Sequence, residues 1–474
     1  MLKNIMWKFA ERSAAQIVSL AVSIIIARIL SPDDYGIIAL VMVMITMLNV
    51  FVDSGLGIAL VQKNKADNID FSTVFFTNMF LCVCLYIGIF FLAPYIAVFY
   101  GNYILSDVIR FLGFSVVIFG LRNVQQAYVA RNMMFKKFFY STLGGTIVAA
   151  LVGVILAYDG YGIWALVFQQ IINTFIGTII LWFTVAWRPE WVFSFSRLKI
   201  LFDYGWKLLI SALLDTGYGQ LRQLIIGKIY SPSDLAFYNR GEQFPQVVVN
   251  NINNSIDSVL LPTMSRVKDD VVVIRDMTRN SIKLSVFIMA PIMLGLAAIS
   301  DNLVTVLLTD KWLDCVPYFK VFCVVYMFYP IHTANLNAIK AMGRSDLFLK
   351  LEIMKKFVGI ASILISMQIS VWAICLSNLV ISFLSQMINS WPNGMLLKYD
   401  YCSQIRDVLP SILLGGIMYF VVCSINLFSL SIYLKLLLQV LIGFCFYIFC
   451  AKIFRFYGYL YLSDRVHGIL AKFR

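Results

Sequence analysis

This sequence predicts an all-α integral membrane fold of about 14 transmembrane helices, set out as two parallel six-helix lobes plus two C-terminal helices. Three observations predict it. The 474 residues are 61% hydrophobic and only 13% charged, too little polar material to wet the surface of a soluble chain of that length. The apolar residues arrive in blocks of roughly 20, enough helix to cross about 30 Å of hydrocarbon. Finally, a stretch near the start recurs about 200 residues later, the mark of a duplicated unit.

In order, the apolar blocks cover 13–30, 36–60, 73–93, 107–129, 139–158, 162–187, 205–229, 238–261, 283–300, 318–340, 350–368, 371–391, 409–428 and 433–453. Breaks are expected at Ser31-Pro32-Asp33-Asp34, Pro94, Asp159-Gly160, Pro189, Ser231-Pro232, Pro262, Pro317, Trp391-Pro392 and Pro410, because proline and Gly/Asx clusters interrupt helical hydrogen bonding. The lobes are drawn at 1–190 and 200–400. Residues 401–474 hold the two extra helices and a tail.

Orientation follows from charge. With the N-terminus inside, alternate loops carry Lys63 and Lys65; Arg131, Lys136 and Lys137; Arg188, Arg197 and Lys199; Arg266, Lys268, Arg275 and Arg279; and Lys340, Arg344 and Lys350. The tail adds Lys452, Arg455, Arg465, Lys472 and Arg474. The opposite loops, 94–106 and 158–161, are nearly free of Lys and Arg, so both termini are expected in the cytoplasm. The net charge of +13 therefore reflects topology, and no nucleic-acid partner is expected. The polar start, Met1 to Arg12, has no apolar core followed by a cleavage site, so no removable signal peptide is expected.

Nine cysteines show neither zinc-site nor disulfide spacing, and no metal is expected. Cys82, Cys84, Cys323, Cys375, Cys423, Cys445 and Cys450 lie in apolar blocks, Cys402 in an inner loop and Cys315 alone in an outer one.

The duplication is explicit. Ile24-Ile25-Ile26-Ala27-Arg28-Ile29-Leu30-Ser31-Pro32-Asp33-Asp34 recurs as Leu224-Ile225-Ile226-Gly227-Lys228-Ile229-Tyr230-Ser231-Pro232-Ser233-Asp234. Trp7-Lys8 matches Trp206-Lys207, Val52-Asp53-Ser54 matches Ile256-Asp257-Ser258, and Ile163-Trp164-Ala165 matches Val371-Trp372-Ala373. Six spans per unit is an even number, so both units enter the membrane in the same sense. Such parallel repeats belong to transporters with a substrate site between the lobes.

An ionisable side chain in hydrocarbon costs a few kcal/mol, so those present should face a bundle interior or a wet cavity. The first span carries Arg12, Gln16, Ser19 and Ser23; the second, Thr46, Asn49 and Asp53; the seventh, Lys207, Ser211, Asp215, Tyr218 and Arg222. In the eighth, Gln243, Gln246, Asn250, Asn253, Asn254 and Asp257 follow one another at helical spacing. Arg122 with Gln125 and Gln126, His332 with Asn335, and Asn378 with Gln386 add to these. The first, second, seventh and eighth spans are expected to wall a hydrated, net basic chamber. Its candidate substrate-binding residues are Arg222, Arg122, Asp215, Asn250, Asn254, Asp257, Asp53, Arg12 and Arg28. Interhelical hydrogen bonding is the competing account of each Asn. Snorkelling is the competing account of Arg12, Arg28, Lys207 and Lys228 near span ends. For Arg222 the competing account is an ion pair with Asp215.

Ala27-Arg28-Ile29-Leu30-Ser31-Pro32-Asp33-Asp34-Tyr35-Gly36, followed by Phe51-Val52-Asp53-Ser54-Gly55-Leu56-Gly57-Ile58-Ala59-Leu60-Val61-Gln62-Lys63, resembles the opening of bacterial polysaccharide transporters. These are the Wzx-type oligosaccharide flippases of the multidrug/oligosaccharidyl-lipid/polysaccharide superfamily, and the colanic-acid-exporter-like branch is the most similar. The resemblance implies an inner-membrane protein, and a monomer is expected. It would carry a polyprenyl-pyrophosphate-linked oligosaccharide from the cytoplasmic to the periplasmic leaflet, alternating access by rocking its lobes. Its partners would be that lipid-linked oligosaccharide, membrane lipids, and the polymerase and glycosyltransferases of the pathway. Only Arg28 and Asp53 carry over by position. No cofactor is implied, and coupling to H+ or Na+ is left open. The two C-terminal helices are candidates for the surface that receives the prenyl tail, and the basic links 187–204 and 262–282 are where movement is expected.

Two other functions stay open. A drug/cation antiporter of the same superfamily would want a chamber dominated by carboxylates. A membrane polysaccharide polymerase, an enzyme, would want a large outer loop carrying an acid, base or nucleophile. The outer loop at about 300–317 has no His, the two histidines being His332 and His467. No phosphate-cradling glycine loop is present either, so ATP-driven transport is not expected.

Overall fold

The structure is a computed structural model. It describes the backbone from Leu2 to Lys472 except Ser54, Asn64 and Lys65, and the side chains from Ala15 to Asp464 except those three and Tyr204. Arg12, Lys8 and His467 lie outside the described side chains. The described backbone is helical. In chain order it forms α1 (Leu2–Ile29), α2 (Pro32–Asp53), α3 (Leu56–Gln62), α4 (Asn68–Tyr100), α5 (Ile104–Arg131), α6 (Phe135–Tyr158), α7 (Ile163–Thr184) and α8 (Phe195–Ile229). It continues with α9 (Pro232–Ser265), α10 (Val271–Leu308), α11 (Val316–Met327), α12 (Tyr329–Ala341), α13 (Ser345–Ser366), α14 (Val371–Leu397), α15 (Tyr401–Ser424), α16 (Ile432–Ile453) and α17 (Tyr457–Lys472). Short 3-10 turns cover Asp310–Cys315 and Ile425–Leu427. Among the described residues ten helical stretches are long and apolar enough to cross a membrane.

Side-chain caps start many of these helices. Asp67 and Asp70 form a reciprocal capping box at α4, while Ser194, Asp270, Ser370, Asp400 and Ser431 each accept a backbone N–H at the start of α8, α10, α14, α15 and α16. The expected breaks fare unevenly. Ser31-Pro32, Asp159-Gly160 and Ser231-Pro232 do separate helices, but Pro94, Pro262, Pro392 and Pro410 sit inside α4, α9, α14 and α15. Proline removes one hydrogen bond, and in a packed membrane helix neighbouring groups and small backbone adjustments absorb that loss. Conversely, the block expected over 318–340 divides at Phe328 into α11 and α12, and 36–60 divides into α2 and α3.

The chain separates into two compact units, Met1–Ala236 and Phe237–Arg474. Unit 1 packs α2, α4, α5 and α7 around Val41, Val52, Cys82, Val108, Leu112 and Val167. In the same unit α1 lies on α6, and α8 lies along α2 and touches α3 and α4. In unit 2 α10 is the central helix, packed by α15 and α16 around Phe287, Met418 and Tyr447.

Candidate functional site

Two helix starts in unit 1 are built alike. Ser31 Oγ donates to Asp34 Oδ2 at 2.7 Å while the Asp34 N–H donates back to Ser31 Oγ at 3.3 Å; Ser231 and Asp234 repeat this at 2.7 and 3.1 Å. Pro32 and Pro232 begin α2 and α9, where a missing N–H costs nothing. The two starts meet. Ser233 Oγ donates to Asp33 Oδ1 at 2.5 Å, and a Cβ on Gly36 would overlap the Pro232 carbonyl. Lys228, at the end of α8, donates to the Phe99 carbonyl and lies 4.1 Å above the Phe99 ring. Arg28 is exposed at this same end of α1.

At the other end of the α2–α8 pair a second glycine contact appears. A Cβ on Gly205 would stand 2.9 Å from the Gly55 carbonyl carbon. Asp53, two residues before Gly55, accepts from Asn123 Nδ2 at 2.9 Å, and Asn123 Oδ1 in turn accepts from Asn78 at 3.2 Å. Asn78 and Asn123 are buried, so α2 is keyed to α5 and α4 by an amide chain.

Arg222 lies on α8 with its guanidinium 6.0 Å from the Tyr218 ring centroid, and its buried Nε has no hydrogen-bond partner. Among the described residues it makes no ion pair, so Asp215, exposed two turns earlier, does not neutralise it. Arg122 is placed differently. With the Gln126 amide turned to accept, Arg122 donates to it at 2.9 and 3.2 Å, and its Nη1 packs against Gly177 of α7. Ser19 and Ser23 of α1 line a cavity of about 200 Å³ inside unit 1 with Gln169, Gln170 and Asn173.

In unit 2, Asn250, Asn254 and Asp257 are exposed along α9. Thr333 donates to Asn253 at 2.6 Å, and Asn337 donates to Asp257 at 2.9 Å, so α9 is tied to α12 on two successive turns. A buried polar cluster centres on Asn335, which accepts from Gln404 at 2.9 Å and from Asn393 at 2.7 Å.

An apolar groove of about 410 Å³ runs between α10, α15 and α16, lined by Phe287, Ile292, Gly295, Met418, Val440 and Tyr447 among others. Its only polar lining amide, Gln439, is engaged by Asn302 at 2.9 Å.

The basic link 187–204 is fixed to unit 1. Gln125 donates to the Trp187 carbonyl at 3.1 Å, Glu190 N–H to Ser72 Oγ at 3.0 Å, and Ser194 N–H to Thr73 Oγ1 at 3.2 Å. Arg197 reaches Asp67 at 2.7 Å and the fully buried Asp70 at 3.2 Å, with Lys63 on Asp70 at 2.6 Å. Hydrogen bonds to Asp70 and then Asp67 hold the Arg197 guanidinium above its ordinary range. In the loop before α13, Arg344 bonds Asp346 and holds its carboxyl down to about 2.

The structure thus joins Asp53 and Asp257 to amide partners, and among the described residues no hydrogen bond or ion pair links Arg222, Asn250 and Asn254 to one another. The sequence does not single out the partners Asn78, Asn123, Thr333 and Asn337, since one polar side chain in an apolar span carries no periodic signal. Cys315, expected to be accessible in an outer loop, is fully buried at the end of the 3-10 turn.

A polysaccharide biosynthesis protein family matches residues 25–317, more than half of the chain. The chain belongs to that family. It is similar to the teichuronic acid biosynthesis protein TuaB of Bacillus subtilis (strain 168), 23% identical over 407 residues covering 84% of each chain. It is also similar to the lipopolysaccharide biosynthesis protein WzxC of Escherichia coli (strain K12), 20% identical over 348 residues, 73% of this chain and 71% of that one. Among solved structures, lipid II flippase MurJ in an inward closed conformation superposes with a TM-score of 0.77 at 16% identity, over 95% of this chain and 99% of that one. An inward-facing multidrug resistance MATE family transporter gives 0.63 at 12% identity, over 82% and 99%. These two likenesses establish the fold.

Proposed function

We propose that this polysaccharide biosynthesis family member is a flippase. It carries a polyprenyl-pyrophosphate-linked oligosaccharide, a repeat unit of O-antigen, capsule or exopolysaccharide, from the cytoplasmic to the periplasmic leaflet of the bacterial inner membrane. It does so as a monomer, without a cofactor and without catalytic chemistry, by alternating access of two parallel six-helix repeats; with two C-terminal helices they make 14 spans. Both termini and the Lys63, Arg197 and Asp407 ends of the helices are cytoplasmic.

One observation carries this reading: the chain offers two chemically opposite surfaces that a lipid-linked sugar needs together. Unit 1 exposes Asp215 and holds Arg222 beside Tyr218, and unit 2 exposes Asn250, Asn254 and Asp257 along α9, so each unit offers polar groups of the kind that bind sugar hydroxyls and phosphate. Arg122, Asp53, Arg12 and Arg28 complete the proposed polar set. The groove between α10, α15 and α16 is apolar apart from Gln439 and the Tyr447 hydroxyl, and takes the prenyl tail. The duplication is supported by the matched Ser31–Asp34 and Ser231–Asp234 boxes.

Deleting the gene tests the assignment. Surface polysaccharide should disappear while lipid-linked oligosaccharide accumulates in the cytoplasmic leaflet. Unchanged polysaccharide, in a strain without a second transporter, counts against it.

A further inference from the structure

At the foot of the apolar groove lies a second pocket, of about 290 Å³ and of opposite chemistry, lined by Lys283, Arg406, Asp407, Phe454, Phe456 and Tyr457 among others. The two spaces share the same walls. Lys283 and Phe287 are successive turns of α10, Lys283 in the lower pocket and Phe287 in the groove. Phe287 is pinned between them: its carbonyl accepts from Tyr447 at 2.9 Å, its ring packs at a tilt against Tyr447 and Phe456, and a Cβ on Gly458 would overlap it. Gly458 thus lets α17 press directly on α10 and close the pocket floor.

The charge in this pocket is lopsided. Asp407 is met by Arg279 at 2.6 Å, Lys283 at 2.9 Å and the Tyr399 hydroxyl at 2.9 Å, so one carboxylate answers two cations. Arg406, next in sequence, lines the pocket with no ion-pair partner among the described residues. The lining itself carries Lys283 and Arg406 against Asp407, one positive charge in excess, beside an aromatic rim. Above them the groove rises from Phe287 to Ile299, about 18 Å of helix at 1.5 Å per residue. It ends where Asn302, Asn426 and Gln439 bond one another.

We propose that this pocket is the docking site for the phosphate end of a single-chain polyprenyl pyrophosphate lipid, whose tail occupies the groove directly above. Arg406 supplies the free guanidinium and Lys283 a second cation shared with Asp407. One narrow groove over one cationic pocket suits a lipid with one chain and two phosphates, whereas a diacyl phospholipid brings two chains and a single phosphodiester charge. The site deepens the flippase reading and rests on it only for orientation, since it places the pocket at the cytoplasmic leaflet. It is a docking position ahead of translocation, distinct from the Arg222 region of unit 1.

Binding to the purified full-length protein tests it without any transport assay. The probes are a long-chain polyprenyl pyrophosphate carrying no sugar, phosphatidylglycerol, and inorganic pyrophosphate, each followed by native mass spectrometry and thermal shift. The polyprenyl pyrophosphate should bind and raise Tm; Arg406→Glu should weaken it about tenfold and Arg406→Lys should retain most of it. Val440→Trp, which fills the groove from an exposed position, should weaken the lipid and leave the folded protein's own Tm unchanged. Wild-type affinity in both Arg406→Glu and Val440→Trp overturns the site. Equal, competing binding of phosphatidylglycerol overturns the choice of lipid, and equal binding of inorganic pyrophosphate overturns the part played by the groove. An unchanged polysaccharide in the deletion strain would sink the flippase reading while leaving these binding results standing.

Discussion

Asn123 of α5 donates its amide to the Asp53 carboxylate of α2 at 2.9 Å, and nothing in the spacing of the two residues announces it. Asn337 and Asp257 make the same bond at the same length in unit 2. Measured from the Ser-Pro starts of α2 and α9, however, the counterpart of Asp53 is Asn253, which Thr333 holds; Asp257 lies one turn further on. Removing either amide therefore has a calculable consequence. Asn123→Ala and Asn337→Ala should each lower stability, and double-mutant cycles with Asp53→Ala and Asp257→Ala should return couplings near the membrane average of about 0.6 kcal/mol and no more than about 1.7 kcal/mol. Thermal unfolding in detergent reads both, and additive effects would show that the bonds carry no energy.

The meeting of α2 and α9 at Asp33 and Ser233 should be capturable. In an Asp33→Cys/Ser233→Cys variant with native cysteines replaced, mild oxidant should form a disulfide in one chain, seen as loss of maleimide labelling. Export should stop on oxidation and return with reductant, because alternating access requires such end contacts to open. Full export with the disulfide formed would show that this contact stays closed throughout the cycle.

Gly36 makes a separate point about the same contact. A methyl group there has no room against the Pro232 carbonyl, and backbone cannot step aside as a side chain can. Gly36→Ala should reduce disulfide formation in the Asp33/Ser233 cysteine pair severalfold, whereas Gly219→Ala, which meets nothing within 4 Å, should leave it unchanged.

Topology can be read by labelling, but not through Cys315, which is buried. Asp314→Cys, exposed beside it, should react with an impermeant thiol reagent in intact cells, and Lys136→Cys should react only after permeabilisation. The reverse pattern would invert the membrane orientation.

Arg222 offers the sharpest functional test. Arg222→Ala should abolish export at normal protein level, and Arg222→Lys should restore it in part, since an ammonium lacks the directional fork of a guanidinium. Because Asp215 does not pair with Arg222, adding Asp215→Ala should not rescue the loss. Wild-type export in the double variant would leave charge balance as the role of Arg222.

The membrane class, the family and the matched Ser-Pro helix starts were legible in the sequence alone. Each is written in composition or in local spacing: apolar blocks the length of a bilayer, and serine, proline and aspartate at fixed offsets in both copies. The same local rules misjudged Pro94, Pro262, Pro392 and Pro410, because the penalty for a lost hydrogen bond depends on what packs around it. Which residues meet was decided by tertiary structure. Asp53 finds Asn123 across 70 residues and Asp257 finds Asn337 across 80, while Arg222 and Asp215, two turns apart on one helix, do not pair. Lys283 and Arg406 fall in different spans and share a pocket only because α10 and α15 pack side by side. Sequence fixes the period of a helix and hence which of its residues share a face; only the packing of one helix on another determines what that face meets.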